Sequence, residues 1–178
     1  SITITPKGVQ GKSNPSTDTS NVAFGPSALR SITTGMYNTA IGSVTLQLNT
    51  TGSANTANGA YALERNTVGA NNTALGYYAL NSNTMGNENT AMGVNALFKK
   101  TTGNFNTANG VNALYFNTEG SQNTALGNRS LFTNTTGREN TSLGFKALYF
   151  NTTGSYNTAI GKEALNNNME GSDKNAIV

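Results

Sequence analysis

The chain has 178 residues, of which 35% are hydrophobic and 11% charged, and its formal net charge is +3. It contains no Cys and no His, which excludes disulfides, thiol chemistry, imidazole acid–base catalysis and the usual zinc ligands. The 11 Lys and Arg residues are scattered, and no segment approaches the ~20 apolar residues of a membrane helix, so neither nucleic-acid binding nor membrane insertion is expected.

Residues 1–20 stand outside the pattern that fills the rest of the chain. Ser1 to Thr5 alternates Ser or Thr with Ile, which is typical of a strand, and Gly8, Gly11 and Pro15 indicate turns. We interpret residues 1–20 as an entry segment or as the end of a preceding module.

From Asn21 onward the sequence repeats with a period of 17 residues, in nine consecutive copies without insertion or deletion. We number the positions of one copy as columns 1 to 17, starting from its first Asn. A fixed period of this length predicts a solenoid in which each copy forms one coil. The sequence therefore predicts a mainly β fold, a β-solenoid or β-roll of nine coils over residues 21–174.

Glycine occupies columns 5 and 15 in every copy, and these columns hold 18 of the 20 glycines. Glycine accepts a positive φ or a close backbone approach, so the two columns predict two corners per coil. Columns 1–5 suit a short strand. The Ala-Leu pair in columns 8 and 9 suits either a second strand or a single helical turn.

Four columns are predicted to point inward. Column 9 is always Leu, columns 3 and 8 are mostly Ala, and column 4 is a large apolar residue except at Asn58 and Asn109. One coil offers so little apolar surface that it cannot fold alone, because ordering 17 residues costs on the order of 25 kcal/mol. Stacking, hydrogen-bonded ladders or further chains must stabilise it.

Asn and Thr, with 29 and 27 residues, replace the missing apolar residues. Columns 1 and 12 are mostly Asn, and columns 2 and 13 are mostly Thr. Identical coils stacked at about 4.8 Å place identical side chains above one another, which favours structural ladders. The alternative is an outward hydroxyl array that orders water or binds a ligand.

The sequence predicts one extra residue at the end of the last copy, because Lys174 follows Asp173 where the next Asn is expected. On this interpretation a tenth, truncated repeat begins at residue 175 and covers 175–178.

The unit Asn-Thr-Ala-Ile/Leu-Gly-x-x-Ala-Leu-x-x-Asn-Thr-Thr-Gly resembles repeats of bacteriophage tail-fibre and related trimeric surface-fibre proteins, over residues 21–178. The segment 38–42, Asn-Thr-Ala-Ile-Gly, is more loosely similar to the coil motif in head domains of trimeric autotransporter adhesins. The coil here differs from that motif in length and in its Ala-Leu pair. The resemblance implies a homotrimer.

Columns 10 and 11 carry an aromatic stripe in four successive copies, about 15–20 Å long at about 4.8 Å per coil. It is either packed between chains of a trimer or a sugar- or surface-binding stripe. The candidate ligand-binding residues are Phe98, Tyr115, Phe116, Phe132, Tyr149 and Phe150. Tyr61, Tyr77 and Tyr78 are weaker candidates of the same kind.

No catalytic residue, metal ligand or cofactor is predicted. Among the carboxylates Glu88 and Glu139 share a column, and three coils separate them by about 14 Å, beyond the ~5–9.5 Å of glycosidase pairs.

The sequence thus predicts a structural or adhesive fibre segment that spaces or presents a receptor-binding surface. Its expected partners are itself and a host cell-surface glycan or protein, and its expected location is extracellular or on a virion. An ice-binding protein that uses Thr and Asn ladders is the alternative, and a polysaccharide-active enzyme is third.

Overall fold

The computed structural model describes residues 20–99 and 101–177. Within them the chain forms one parallel sheet of ten strands, paired in sequence order. Each strand has three residues: β1 Val22–Phe24, β2 Thr39–Ile41, β3 Thr56–Asn58, β4 Thr73–Leu75, β5 Thr90–Met92, β6 Thr107–Asn109, β7 Thr124–Leu126, β8 Thr141–Leu143, β9 Thr158–Ile160 and β10 Asn175–Ile177.

Each strand residue pairs with the residue 17 positions later, as Ala40 does with Ala57. The register is constant from β1 to β10, which confirms the β-solenoid and its 17-residue coil. There is one strand per coil in the described residues. Columns 8 and 9 form neither a second strand nor a helical turn there, but part of an irregular turn.

The core is narrow and repeats in every coil. Ala of column 3 points inward from the middle of the strand, and Ala of column 8 and Leu of column 9 fill the space opposite it. The Leu column is fully buried from Leu29 to Leu148. These three predicted inward columns are confirmed.

Column 4 does not point inward, so that prediction was wrong. Successive side chains of a strand alternate between its faces, and the inward Ala of column 3 therefore turns columns 2 and 4 outward together. Leu75 and Leu143 are 38% and 43% exposed, although Leu is a typical core residue. The hydrophobicity of column 4 predicted inward side chains, but the alternation of side chains along the strand turns them outward.

Three columns hold non-glycine residues in the left-handed region in all nine coils. Columns 7, 9 and 17 have φ between 46° and 62°, for example 61° at Val44, 49° at Leu80 and 59° at Tyr156. The cost of this conformation is offset by hydrogen bonds between coils. The Tyr61 N–H donates to Ser43 O of the preceding coil at 2.9 Å, and Leu80 N–H donates to Ala96 O of the following coil at 2.8 Å.

The two glycine columns serve different purposes. Gly127, in column 5, has φ +128°, and a Cβ there would lie 2.6 Å from Gly144 O. Gly137, in column 15, has no positive φ, but a Cβ would collide with Gly154 O and Asn134 Oδ1. The second corner therefore needs glycine for close approach alone.

Buried Asn side chains form two ladders inside the solenoid, in columns 1 and 12. In column 1, Asn106 Nδ2 donates to Asn89 Oδ1 at 3.0 Å and to Gly120 O at 2.8 Å, while Asn106 Oδ1 accepts from Asn123 N–H at 3.1 Å. In column 12, Asn134 Nδ2 donates to Asn117 Oδ1 at 2.8 Å. The predicted structural role of both Asn columns is confirmed.

The Asn series of column 12 is interrupted in the sequence of the fifth coil by Lys100, which lies outside the described residues. Asn83 Oδ1 and Thr84 Oγ1 are buried and have no hydrogen-bond partner among the described residues. Nearby, Gly103 N–H donates to Thr101 Oγ1 at 3.0 Å. Among the described residues, the buried polar network is therefore incomplete at Asn83 and Thr84 of the fourth coil, next to the coil that carries Lys100.

The predicted extra residue before the tenth repeat is wrong. Asn175 pairs with Thr158, which places it in column 2, and Lys174 takes column 1. The Lys174 N–H donates to Asn157 Oδ1 at 3.0 Å, as the column 1 Asn does in other coils. The tenth coil therefore begins at Lys174 instead of 175. The predicted entry segment lies outside the described residues except for Ser20.

Candidate functional site

The aromatic residues of column 10 stack on one another along the solenoid axis. The Phe98 and Tyr115 rings are 5.1 Å apart, Tyr115 and Phe132 are 5.3 Å apart, and Phe132 and Tyr149 are 5.1 Å apart, all close to parallel. The coil spacing of about 4.8 Å suits this arrangement, because it lies within the range of about 4.5–7 Å at which aromatic ring centroids pair. The ring faces are therefore largely used within the chain, and the ring edges remain accessible.

Column 7 lengthens this stack by two coils. Tyr61 and Tyr78 stack at 4.8 Å, and Tyr78 meets Phe98 edge to face at 5.7 Å. We call these six stacked residues the aromatic ladder: Tyr61, Tyr78, Phe98, Tyr115, Phe132 and Tyr149. The continuity between columns 7 and 10 could not be predicted from sequence, because it depends on the left-handed residues of the turn.

A second row of rings lies outside the ladder. Phe116 meets Tyr115 edge to face at 4.8 Å, and Phe150 meets Tyr149 in the same way at 4.6 Å. These two column 11 rings are 36% and 40% exposed. Of the six predicted binding residues, Phe116 and Phe150 therefore offer the most accessible ring surface.

Two Lys side chains lie over the aromatic rings. Lys99 Nζ is 5.7 Å from the Phe116 ring centroid, and Lys146 Nζ is 5.6 Å from that of Tyr149. Ammonium groups in this position are attracted by the ring quadrupole. The aromatic ladder is thus flanked by two cations at the coils where its outer rings are exposed.

Tyr77 perturbs its neighbour Tyr78. A side-chain hydrogen bond with Tyr77 raises the pKa of Tyr78 above its ordinary value near 10, and desolvation adds to the shift. The Tyr77 and Tyr78 rings are 4.4 Å apart. The Tyr78 phenol is therefore neutral at physiological pH and available only as a hydrogen-bonding group.

The outward surface of the sheet is the other candidate site. We define the sheet face as the outward side chains of columns 2 and 4 together with the adjoining column 6. Column 2 carries Thr in β2 to β9, and no hydrogen bond is recorded for these hydroxyls in the described residues. By contrast, column 13 hydroxyls are engaged, as Thr135 Oγ1 is with Thr152 O at 3.0 Å.

Charge is almost absent from the sheet face. Columns 2 and 4 contain no Asp, Glu, Lys or Arg in any of the ten strands, and column 6 contains only Lys162. Large apolar side chains are exposed along it instead. They include Phe24, Ile41, Leu75, Tyr77, Val94, Val111, Leu143 and Phe145.

Catalytic geometry is not evident in the described residues. No group of three or more Asp and Glu there could hold a metal ion. No helix in residues 20–99 and 101–177 is long and apolar enough to cross a membrane. The absence of enzymatic activity stays a prediction.

Comparison with known proteins gives no assignment, since no protein-family model, no curated protein and no solved structure matches the chain.

Proposed function

We propose that the chain is a rigid segment of a homotrimeric fibre, a phage tail fibre or similar surface fibre, which spaces or presents a receptor-binding surface. The observation that carries this proposal is the unbroken stacking of ten strands in one register. The stack is about 43 Å long at about 4.8 Å per coil. Its polar ladders and inter-coil hydrogen bonds favour a stiff rod.

The distribution of constant and variable columns supports a spacer with a recognition role. The inward columns, which are Asn, Ala, Leu and Gly, repeat almost unchanged, whereas the outward columns 6, 7, 10 and 11 change from coil to coil. Repeat proteins bind ligands through such variable outward positions. Recognition by this chain is therefore expected at the aromatic ladder and its outer rings.

A glycan or protein on a host cell is the proposed ligand of this region. Phe116 and Phe150 present exposed rings, and Lys99 and Lys146 add cations beside them. A single such site is small, but three copies on one fibre raise avidity without new contacts at each site. This role places the protein outside the cell or on the surface of a virion.

Native mass measurement tests the assembly. We expect a species of three times the 18.5 kDa chain mass, stable on dilution to nanomolar concentration. A folded monomer at micromolar concentration would contradict the fibre proposal. Receptor binding is tested by adhesion of labelled protein to host cells or to arrayed glycans, where Phe116→Ala with Phe150→Ala should abolish binding and leave the assembly unchanged.

Ice binding is the second candidate, and the Thr residues of column 2 favour it. Eight hydroxyls lie in one outward row, at the strand spacing of about 4.8 Å, without a recorded protein partner. On this hypothesis the monomer lowers the freezing point without lowering the melting point. Thermal hysteresis that is lost in Thr90→Lys with Thr124→Lys would support it, and a trimer without hysteresis would exclude it.

A further inference from the structure

We infer that copies of this chain pack against one another through the sheet face, parallel and in register, and that Asn58 and Asn109 set the register. The inference rests on the proposed homotrimer and specifies the surface that would form it.

The chemistry of the sheet face differs from that of every other side of the solenoid. It combines an exposed apolar row in column 4 with uncharged Thr in column 2, and it runs the full length of the sheet. Contiguous apolar surface of this kind marks interaction sites in soluble proteins. The remaining charged residues of the described coils lie on the other outward columns, apart from Lys174 in column 1.

The area of the face is compatible with an interface between copies. The strand residues of columns 2 to 4 span about 7 Å at 3.3 Å per residue, and ten strands span about 43 Å, so the flat strand area is on the order of 300 Å² before column 6 and side-chain relief are added. Each partner in a stable complex buries about 800 Å². The strands alone therefore supply a substantial part of such an area, and the exposed side chains of column 6 add to it.

The occupant that fits this face along its whole length is another copy of the chain. Rows of side chains recur on the face at about 4.8 Å, so a partner that interdigitates with all of them must repeat at the same spacing. A second copy of the chain meets this condition because its own side chains repeat at the same spacing. Because the face carries so little charge, identical faces can meet without electrostatic repulsion.

Asn58 and Asn109 interrupt the apolar row in the third and sixth coils. In parallel, in-register packing each Asn meets the same Asn of the next copy, and the amides can hydrogen-bond. A slip of one coil buries Asn58 against Ile41 or Leu75, and an unpaired buried amide costs about 1–3 kcal/mol. Polar residues fix register in coiled coils in the same way.

Antiparallel packing does not satisfy these amides. Full overlap of two chains turned end for end places Asn58 opposite Leu143 and Asn109 opposite Met92. Both amides would then face apolar side chains. The parallel arrangement, with cyclic symmetry about an axis along the solenoid, satisfies both and covers all ten strands.

The first test places charge on the face. In Leu75→Glu with Leu143→Glu the carboxylates meet at equal heights in all copies, and we expect at least a 100-fold weaker self-association by sedimentation equilibrium. The matched control is Met85→Glu, which is 54% exposed in column 14, where Glu119 and Glu170 occur naturally. It should change the association constant by less than twofold. Far-UV circular dichroism checks that both proteins remain folded.

The second test reads the register from disulfides, since the chain contains no Cys. Leu75→Cys should cross-link to itself, whereas Gln122→Cys on column 17 should not. Mixed Ile41→Cys and Leu75→Cys chains should form no mixed disulfide, because two coils separate them by about 10 Å and a disulfide needs Cα atoms within about 7 Å. Adding Asn58→Leu and Asn109→Leu should make the mixed disulfide appear.

The outcomes separate this inference from the proposed function. A trimer that cross-links through Gln122→Cys but not through Leu75→Cys overturns the inference and leaves the fibre proposal intact. A monomer in native solution overturns both. Mixed disulfides in the chain that retains Asn58 and Asn109 would refute their register role alone.

Discussion

Three residues in every coil hold a left-handed backbone conformation without being glycine. For most L-residues this conformation costs roughly 1–2 kcal/mol, and for a β-branched residue it is a greater strain. The coil accepts the cost because, within the described part of the chain, these residues, apart from Ser27 and Leu165 in the first and ninth coils, donate their N–H to a neighbouring coil, as Val44 does to Pro26 O at 2.8 Å. The strain is a property of the coil shape, and side chains that tolerate it are interchangeable at these columns.

At Val44 the substitution Val44→Asn should therefore stabilise the protein by about 1 kcal/mol. Asn tolerates the left-handed region, and it already occupies column 7 at Asn95 and Asn112. Chemical denaturation measures the change. The reverse substitution at an exposed left-handed position, Asn71→Val, should destabilise by a similar amount, and an increase in its stability would contradict this account.

The ladders of buried Asn are the element that makes so small a core sufficient. Column 1 amides donate to the column 15 carbonyl of their own coil, as Asn106 does to Gly120 O, and that carbonyl also accepts from the column 12 Asn, here Asn117. The two ladders cannot both be replaced by apolar residues without leaving these carbonyls unpaired. Its contribution is therefore specific to Asn.

Replacing one amide inside the ladder should be costly. In Asn106→Ala the buried Asn123 N–H loses its acceptor, while Gly120 O and Asn123 Nδ2 each lose one of two hydrogen bonds, and we expect a loss of about 1–3 kcal/mol in the free energy of unfolding. The control is Asn104→Ala on the half-buried column 16, where water can replace the bond from Asn87 N–H. That control should cost less than about 1 kcal/mol.

The interrupted ladder in the fifth coil offers an opposite test. Lys100→Asn restores the residue that column 12 carries in most coils, and its amide could donate to the unpartnered Asn83 Oδ1. Satisfying this buried acceptor should raise the free energy of unfolding by about 1–2 kcal/mol. Lys99→Asn, one residue away on an exposed side chain, serves as the control and should not raise it, because this change only removes cation–π contacts with Phe98 and Phe116. A neutral result for Lys100→Asn would show that Asn83 Oδ1 is already satisfied.

Much of this architecture follows from the period and from residue volumes. The constant spacing predicts parallel in-register strands, and the glycines and the Ala-Leu pair identify the corners and the core. Column 4 was predicted to point inward because its residues are apolar. In a three-residue strand whose central Ala points inward, the flanking side chains must point outward. The left-handed columns gave no signal, because Leu, Tyr and Glu have no preference for that region. The aromatic stripe of columns 10 and 11 was predicted, but its extension by Tyr61 and Tyr78 depends on the turn that contains the left-handed residues.

On the scale of the whole molecule, stability accumulates coil by coil. Each coil contacts only its two neighbours, so the free energy is close to a sum of coil and interface terms. Removal of one complete coil should therefore preserve the fold, whereas a deletion that breaks the period should not.

Deletion of residues 55–71, one full coil, should leave a folded solenoid with a midpoint of thermal unfolding within a few degrees of the original. Deletion of residues 55–70 moves every following column by one position and turns inward Ala residues outward. This second protein should lose its cooperative transition by circular dichroism. If both deletion proteins unfolded with the same cooperative transition, the fold would not depend on the 17-residue period.

The direction of the inter-coil hydrogen bonds also determines how the solenoid responds to force. They run along the axis, so tension applied to the two ends breaks the hydrogen bonds of the terminal coils first, one coil at a time. Each 17-residue coil advances the axis by only about 4.8 Å, yet its extended backbone reaches about 58 Å. A single chain under load would therefore unwind, coil by coil, to roughly twelve times its folded length and refold when the load is released. Each unwinding step absorbs mechanical work, although the folded solenoid is stiff.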